Sequence, residues 1–180
     1  FSKTLRWIYQ GFEKLILDPA SGPDGLTAPL VTDAALAALR EAGPQNRLYL
    51  WVHYNDAHLA GKDYALPKEI TPFPGGAPKD EHDTKLLYID SQIKRLLDGV
   101  DDLYGENPRM VIVSADHGES FDADHVAKAK ARHAWDLSTS VTHIPLIIAS
   151  PYGKPGRTAR LASNMDIVPT VLNGLGFSAK

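Results

Sequence analysis

Residues 109–119 read Arg109-Met110-Val111-Ile112-Val113-Ser114-Ala115-Asp116-His117-Gly118-Glu119. A short apolar run rich in β-branched side chains passes without a linker into a carboxylate, an imidazole, a glycine and a second carboxylate. Such a run predicts a strand over 109–115 buried on both faces. In open α/β sheets, ligands bind beyond the carboxyl ends of strands, which is where Asp116 and His117 fall. Together they offer a divalent cation one hard oxygen and one borderline nitrogen. Gly118 lets the backbone turn away directly afterwards. The same four residues also read as a helix-capping aspartate beside a surface histidine, and taken alone they do not choose between the two.

Outward from this stretch, helices and strands alternate. Upstream, Asp83 or Thr84 opens a helix whose Leu86, Ile89, Ile93, Leu96 and Val100 share one face, with Lys85, Gln92 and Lys94 elsewhere. Residues 55–80 are irregular, with four prolines and Gly75-Gly76, and loop 59–80 is a candidate substrate wall. Residues 48–54 (Leu-Tyr-Leu-Trp-Val-His-Tyr) predict a second strand, with His53 as a hydrogen-bonded core histidine and His58 in the loop beyond it. Thr32 or Asp33 caps a helix to about Ala42, stopped by Gly43-Pro44. Residues 1–17 predict a short amphipathic helix and 18–30 a loop.

Downstream, residues 121–142 are polar and carry His125 and Arg132-His133-Ala134-Trp135. His143 and an apolar strand over 144–149 follow, then a turn region over 151–157. Asn164 or Asp166 caps a final helix through Leu172. This alternation predicts an α/β/α layered domain with a mainly parallel sheet. Residues 1–30 are read as an amino-terminal helix and loop, and 31–180 as the body of the domain.

Composition sets the outer bounds. The chain has 180 residues, 43% hydrophobic and 23% charged, which is the balance of an ordinary folded domain. With 19 basic and 22 acidic side chains the net charge is −3, which leaves no electrostatic footprint for nucleic acid. No apolar run is long enough to span a bilayer. The absence of cysteine excludes a disulfide scaffold, a thiolate nucleophile and cysteine-ligated metal. The chain opens with Phe1, and the expectation is a piece of a longer protein.

Five segments, in order, resemble the carboxy-terminal part of a sulfatase catalytic domain in the alkaline phosphatase-like superfamily, over residues 31–176. Trp51-Val52-His53-Tyr54-Asn55-Asp56-Ala57-His58 resembles a family stretch usually reading HY-x-DPH. Residues 88–97 resemble its helix Y-x-D-x-x-I-x-x-L-L, and 111–119 its metal-binding SDHGE strand end. His133 with Ile144-Pro145-Leu146-Ile147-Ile148 resembles HG…VPLII, and Asp166-Ile167-Val168-Pro169-Thr170-Val171-Leu172 resembles DIAPTLL. Ala57 and Ala134 depart from the usual Pro and Gly.

The resemblance implies roles. Asp116 and His117 match metal ligands, with calcium implied for a sulfatase and zinc or manganese for phosphotransferase relatives. His58 and His133 match positions that contact the sulfate or phosphate group, where imidazoles and a cation would stabilise charge moving to the leaving oxygen. Asp90 and Asp166 match recurrent positions read as structural, through packing and capping.

The family nucleophile, a formylglycine made from Cys or Ser in C/S-x-P-x-R, has no counterpart in these 180 residues, and neither do the paired acidic ligands before it. The expectation is therefore a metal-dependent hydrolase of small-molecule or glycan sulfate esters, inactive in isolation and completed by an amino-terminal half. The parent is expected outside the cytoplasm, with a membrane anchor on it left open. Two alternatives stand beside it. One is a phosphoryl-group hydrolase or a phosphoethanolamine- or phosphoglycerol-type transferase of the same superfamily; the other is a non-catalytic binding domain.

Overall fold

A computed structural model describes residues 11–16, 27–58, 70–121, 133 and 137–177. The chain divides into two compact units, Phe1–Glu106 and Asn107–Lys180. Most of the predicted amino-terminal helix, most of the loop over 18–30, and residues 59–69 lie outside the described residues, as do His125, Arg132, Ala134 and Trp135. The described part of the first segment, 11–16, is turn and irregular chain rather than helix.

The first unit is built on two packed helices, α1 (Ala28–Ala42) and α2 (Pro78–Tyr104). Both begin earlier than capping residues in the sequence suggest. In each, a proline occupies the first turn, where a missing N–H costs nothing. The amino end of α2 is further closed by Asp80, whose Oδ2 accepts the Ala77 N–H at 3.1 Å. The amino end of α1 is closed from a distance. Asp56, fully buried in the 3₁₀ turn Asp56–His58, accepts from Thr27 N (2.8 Å), Thr27 Oγ1 (2.7 Å) and Ala28 N (3.1 Å).

Ala35, Leu36, Leu39 and Leu96 form the main core, flanked by Val52, Val100, Leu103 and Tyr104. A second cluster joins Ala28 and Tyr88 to Tyr54 and Ile70. Gly99 permits the close helix approach, since a Cβ there would lie 2.4 Å from Leu36 Cδ2. The buried face of α2 is rotated from the predicted one: Thr84, Lys85, Tyr88, Ile89 and Leu96 are buried and Leu86 is exposed. Lys85 joins the buried face because its apolar stem can lie against neighbours while its ammonium meets Glu81 at 3.0 Å. Asp90 is exposed on α2, so its predicted packing role does not hold.

Residues 48–54 are not a strand; no ladder partner lies beside them among the described residues. Residues 51–54 keep a strand's alternation nonetheless. Val52 and Tyr54 turn inward, while Trp51 and His53 turn out. That parity overturns the core reading of His53, which is exposed. Tyr54 hydrogen-bonds Thr32 Oγ1 at 2.9 Å, and burial pushes its phenol above the ordinary range.

The second unit holds β1 (Val111–Ser114), α3 (Thr139–Thr142), β2 (Leu146–Ala149), a 3₁₀ turn (Asn164–Asp166) and α4 (Ile167–Gly174). β1 and β2 pair antiparallel, from Val111 opposite Ala149 to Ser114 opposite Leu146. This differs from the parallel sheet predicted from alternation. The chain beyond β1 doubles back on itself, with Gly118 N donating to Val141 O at 2.7 Å, so the arms leaving the strands continue side by side. Nor is β1 buried on both faces; each of its residues is half-buried, and Ile147 and Ile148 of β2 are exposed. The 3₁₀ turn before α4 is capped by Ser163 and Asp166, whose Oδ2 accepts Ser163 N at 2.8 Å. Asp166 stands at the N-cap of α4, but its side chain closes the 3₁₀ turn and makes no cap bond to α4, so the capping expected of it falls one turn earlier. Among the described residues, no helix is long and apolar enough to cross a membrane.

Candidate active site at the end of β1

Two hydrogen-bonded braces set the end of β1. Ser114 Oγ lies 2.9 Å from Pro145 O and 3.1 Å from Asn164 Oδ1. Asn164 Nδ2 donates to Ala115 O at 2.9 Å, which fixes the way its amide points. Asn164, read from the sequence as a helix cap, thus ties the amino end of the last helical segment to the residue before Asp116.

Beyond the brace the chain exposes Asp116 and His117. Asp116 Oδ1 accepts the His117 N–H at 3.0 Å. The carboxylate is 70% exposed, and its Oδ2 lies 3.6 Å from His117 Nε2. His117 Nδ1 is 2.8 Å from the carbonyl of Gly118, an acceptor only, so Nδ1 carries a proton, and in the neutral ring Nε2 holds the lone pair. This is the arrangement in which a histidine ligates metal, with the other nitrogen tied to a carbonyl.

Gly118 is required for a different reason from the one the sequence suggests. Its position does not demand a left-handed backbone. A Cβ there would lie 2.1 Å from Ser140 O and 3.3 Å from Val141 Cα, so two backbones meet where it stands. Gly118→Ala is expected to push the 116–119 segment away from 140–141 and to lower stability by about 2 kcal/mol or more, as overpacking against backbone does. Thermal unfolding checks this; an unchanged midpoint would mean the two segments are not in contact.

Past Gly118, the Glu119 side chain turns inward, 13% exposed, and both carboxylate oxygens reach His133 Nδ1, at 3.3 and 3.2 Å. The His133 ring stacks on that of His117, with centroids 4.2 Å apart and planes 26° from parallel. The structure therefore brings Asp116, His117 and His133 together, 17 residues apart in sequence at the widest, and adds Glu119, to which sequence reading gave no role. The signal for Glu119 was its place in the Asp-His-Gly-Glu run, but nothing local showed that its partner would be His133. His58 belongs to the first unit, where it is exposed at the end of the 3₁₀ turn held by Asp56, its backbone N–H on Asn55 O at 3.1 Å. His143 is exposed, as its position before a strand suggests.

The family model described as Sulfatase matches residues 9–177. The chain belongs to the sulfatase family. Its fold is accordingly of the α/β alkaline phosphatase-like class. It is 34% identical over 85 residues to the uncharacterized sulfatase YidJ of Escherichia coli (strain K12). That stretch is 47% of this chain and spans 16% of the length of YidJ. No solved structure matches the chain.

Sulfatases as a family use a divalent cation, and the donors here can be tested against one. Among the described residues no three His, Asp or Glu side chains converge on a point. Two do: Asp116 Oδ2 and His117 Nε2, 3.6 Å apart, are close enough for one ion at ordinary metal–ligand distances of about 2.0–2.5 Å to touch both. Charge points the same way. Two carboxylates, Asp116 and Glu119, flank the histidines, and a sulfate ester would be repelled without a cation between. The pair fits as part of a larger ligand set, since calcium takes about six to eight oxygens.

Proposed function

We propose that this sulfatase-family chain forms the metal-binding and leaving-group side of a sulfate-ester hydrolase site. The observation that carries the reading is the Asp116–His117 pair, with Nε2 of His117 presented beside a carboxylate oxygen at the end of a strand. Asp116 and His117 would hold a divalent cation, calcium in the sulfatase reading. When bound, the ion supplies Lewis-acid stabilisation of charge on the sulfuryl oxygens.

His133, and His58 by its motif, would contact the sulfate group. An imidazole N–H there hydrogen-bonds a sulfate oxygen and can pass its proton to the departing alkoxide. We assign the nucleophile and the remaining acidic ligands to residues of the same protein outside these 180, because no cysteine and no C/S-x-P-x-R motif occurs within them. Residues 31–180 are then the carboxy-terminal part of a layered α/β/α catalytic domain, with residues 1–30 preceding it. The substrate class is a small-molecule or glycan sulfate ester, and an extracytoplasmic site of action is proposed with it.

Titrating the ¹⁵N-labelled chain with calcium tests the metal assignment without need of turnover. Resonances of His117 and Asp116 are expected to move, with a weak Kd of about 10⁻³ M because only two donors are held here. Those of the exposed His53 and His143 are expected to stay in place. Asp116→Ala should abolish the response. If neither calcium, zinc nor manganese moves His117 ahead of the other histidines, the assignment is wrong.

A second reading keeps the site and changes the chemistry. The nitrogen donor of His117 suits zinc or manganese better than calcium, which favours a phosphoryl-group hydrolase or transferase. A clear preference for zinc or manganese in the same titration would support that reading.

A further inference from the structure

We propose that Glu119 is the positioning residue of His133. It accepts the imidazole Nδ1–H and so leaves Nε2 as the nitrogen turned to the anionic group, to which it donates only when it carries the ring's second proton. The proposal rests on the reading of His133 as a sulfate contact, but its geometry stands apart from that reading.

Three observations carry it. Both Glu119 oxygens lie within 3.3 Å of the same ring nitrogen, so the carboxylate straddles Nδ1 rather than touching it by chance with one oxygen. Glu119 is largely buried, and its backbone is held by the neighbouring Gly118, which is locked against the 140–141 segment. The His133 ring cannot swing away without leaving its stack on His117.

The two stacked rings are thus built alike. Each has its Nδ1 against an acceptor, the Gly118 carbonyl for His117 and the Glu119 carboxylate for His133. An ionised carboxylate only accepts, so Nδ1 of His133 must carry a proton whenever the contact is made. The tautomer with Nδ1 bare is then excluded. An exposed imidazole would choose its tautomer and rotamer freely. Here two residues of one tetrapeptide, Gly118 and Glu119, fix both rings, which accounts for the second acidic residue in Asp-His-Gly-Glu and gives it no part in holding metal.

The test is the ¹⁵N spectrum of the His133 ring in the labelled chain at about pH 8.5, some two units above the ordinary histidine pKa. The ring is assigned by the loss of its signals in His133→Asn. The expected pattern is a proton on Nδ1. In Glu119→Leu, which removes the acceptor, the pattern should shift to Nε2–H or to an averaged mixture. Glu119→Gln, whose amide oxygen can still accept, should restore Nδ1–H. A merely structural Glu119 would alter unfolding without moving the tautomer.

His133 protonated on Nε2 alone in the unaltered chain would overturn the proposal, and needs no variant to fold. So would an unmoved Nδ1–H pattern in a folded Glu119→Leu. Because the measurement uses neither metal nor ester, failure of the sulfatase reading would show instead as absent sulfate-ester turnover with the tautomer as expected.

Discussion

Asp116→Ala is expected to lower sulfate-ester hydrolysis by the full-length protein about 10³-fold, roughly 4 kcal/mol of transition-state stabilisation. The size follows from what the side chain does. Asp116 Oδ2 and His117 Nε2 are the two donors that converge among the described residues, and removing one leaves this side of the site with a single imidazole beside the acidic ligands assigned to the rest of the protein. His117→Ala should lose a similar amount. The two together should lose little more than either alone, because a site that has lost its ion cannot lose it again. His143→Ala, three residues before β2 and exposed, is the control expected to keep activity. Steady-state kinetics with saturating calcium checks this. Activity of Asp116→Ala within tenfold of the parent would remove Asp116 from the metal site.

Asp56→Ala is expected to lower the stability of the first unit by about 2–4 kcal/mol. Asp56 is fully buried and meets three donors at the start of α1, two backbone N–H groups and the Thr27 hydroxyl. Truncation leaves those donors without their acceptor, the Ala28 N–H fully buried and the Thr27 groups half-buried, and it removes a negative charge from the positive end of a helix. Asp56→Asn should recover part of the loss, since one amide oxygen can still accept while the amide nitrogen faces donors. Urea unfolding followed through the first unit checks the order parent, then Asn, then Ala. A loss below about 0.5 kcal/mol for Ala would mean that α1 does not depend on this cap.

The two residues show what sequence could and could not convey. The place of Asp116 was legible, because a carboxylate beside an imidazole follows a strand-forming run and the structure puts both just beyond β1, while its metal role stands as proposed. Asp56 stands in an equally recognisable run, yet its partners, Thr27 and Ala28, lie nearly thirty residues away. No local pattern announces a cap supplied at that range. Glu119 and Asn164 are the same case, one bonded to His133 and the other to Ala115.

For the fold, helices were legible and their first turns were not. α1 and α2 start at alanine and proline, where distant or downstream carboxylates stand in for local caps. Periodicity also misassigned the face of α2. Leu86 fits an apolar stripe as well as Lys85 does not, but contact with Tyr54, Ile70 and α1 decides which side is covered. Strands fared differently. Residues 109–115 and 144–149 contain β1 and β2, whereas their antiparallel pairing depends on the return of the chain past Gly118, which composition does not encode. Residues 48–54 have the composition and alternation of a strand without its ladder, because pairing needs a neighbour and propensity alone does not supply one.

The measurement closest to the centre of this account is turnover of para-nitrophenyl sulfate against para-nitrophenyl phosphate by the full-length protein, each with calcium and after its removal by chelation. The expected result is faster turnover of the sulfate ester, lost on chelation and restored by calcium. Turnover of the phosphate alone, restored by zinc or manganese and not by calcium, would contradict the sulfatase assignment and leave the same Asp116–His117 pair serving phosphoryl transfer.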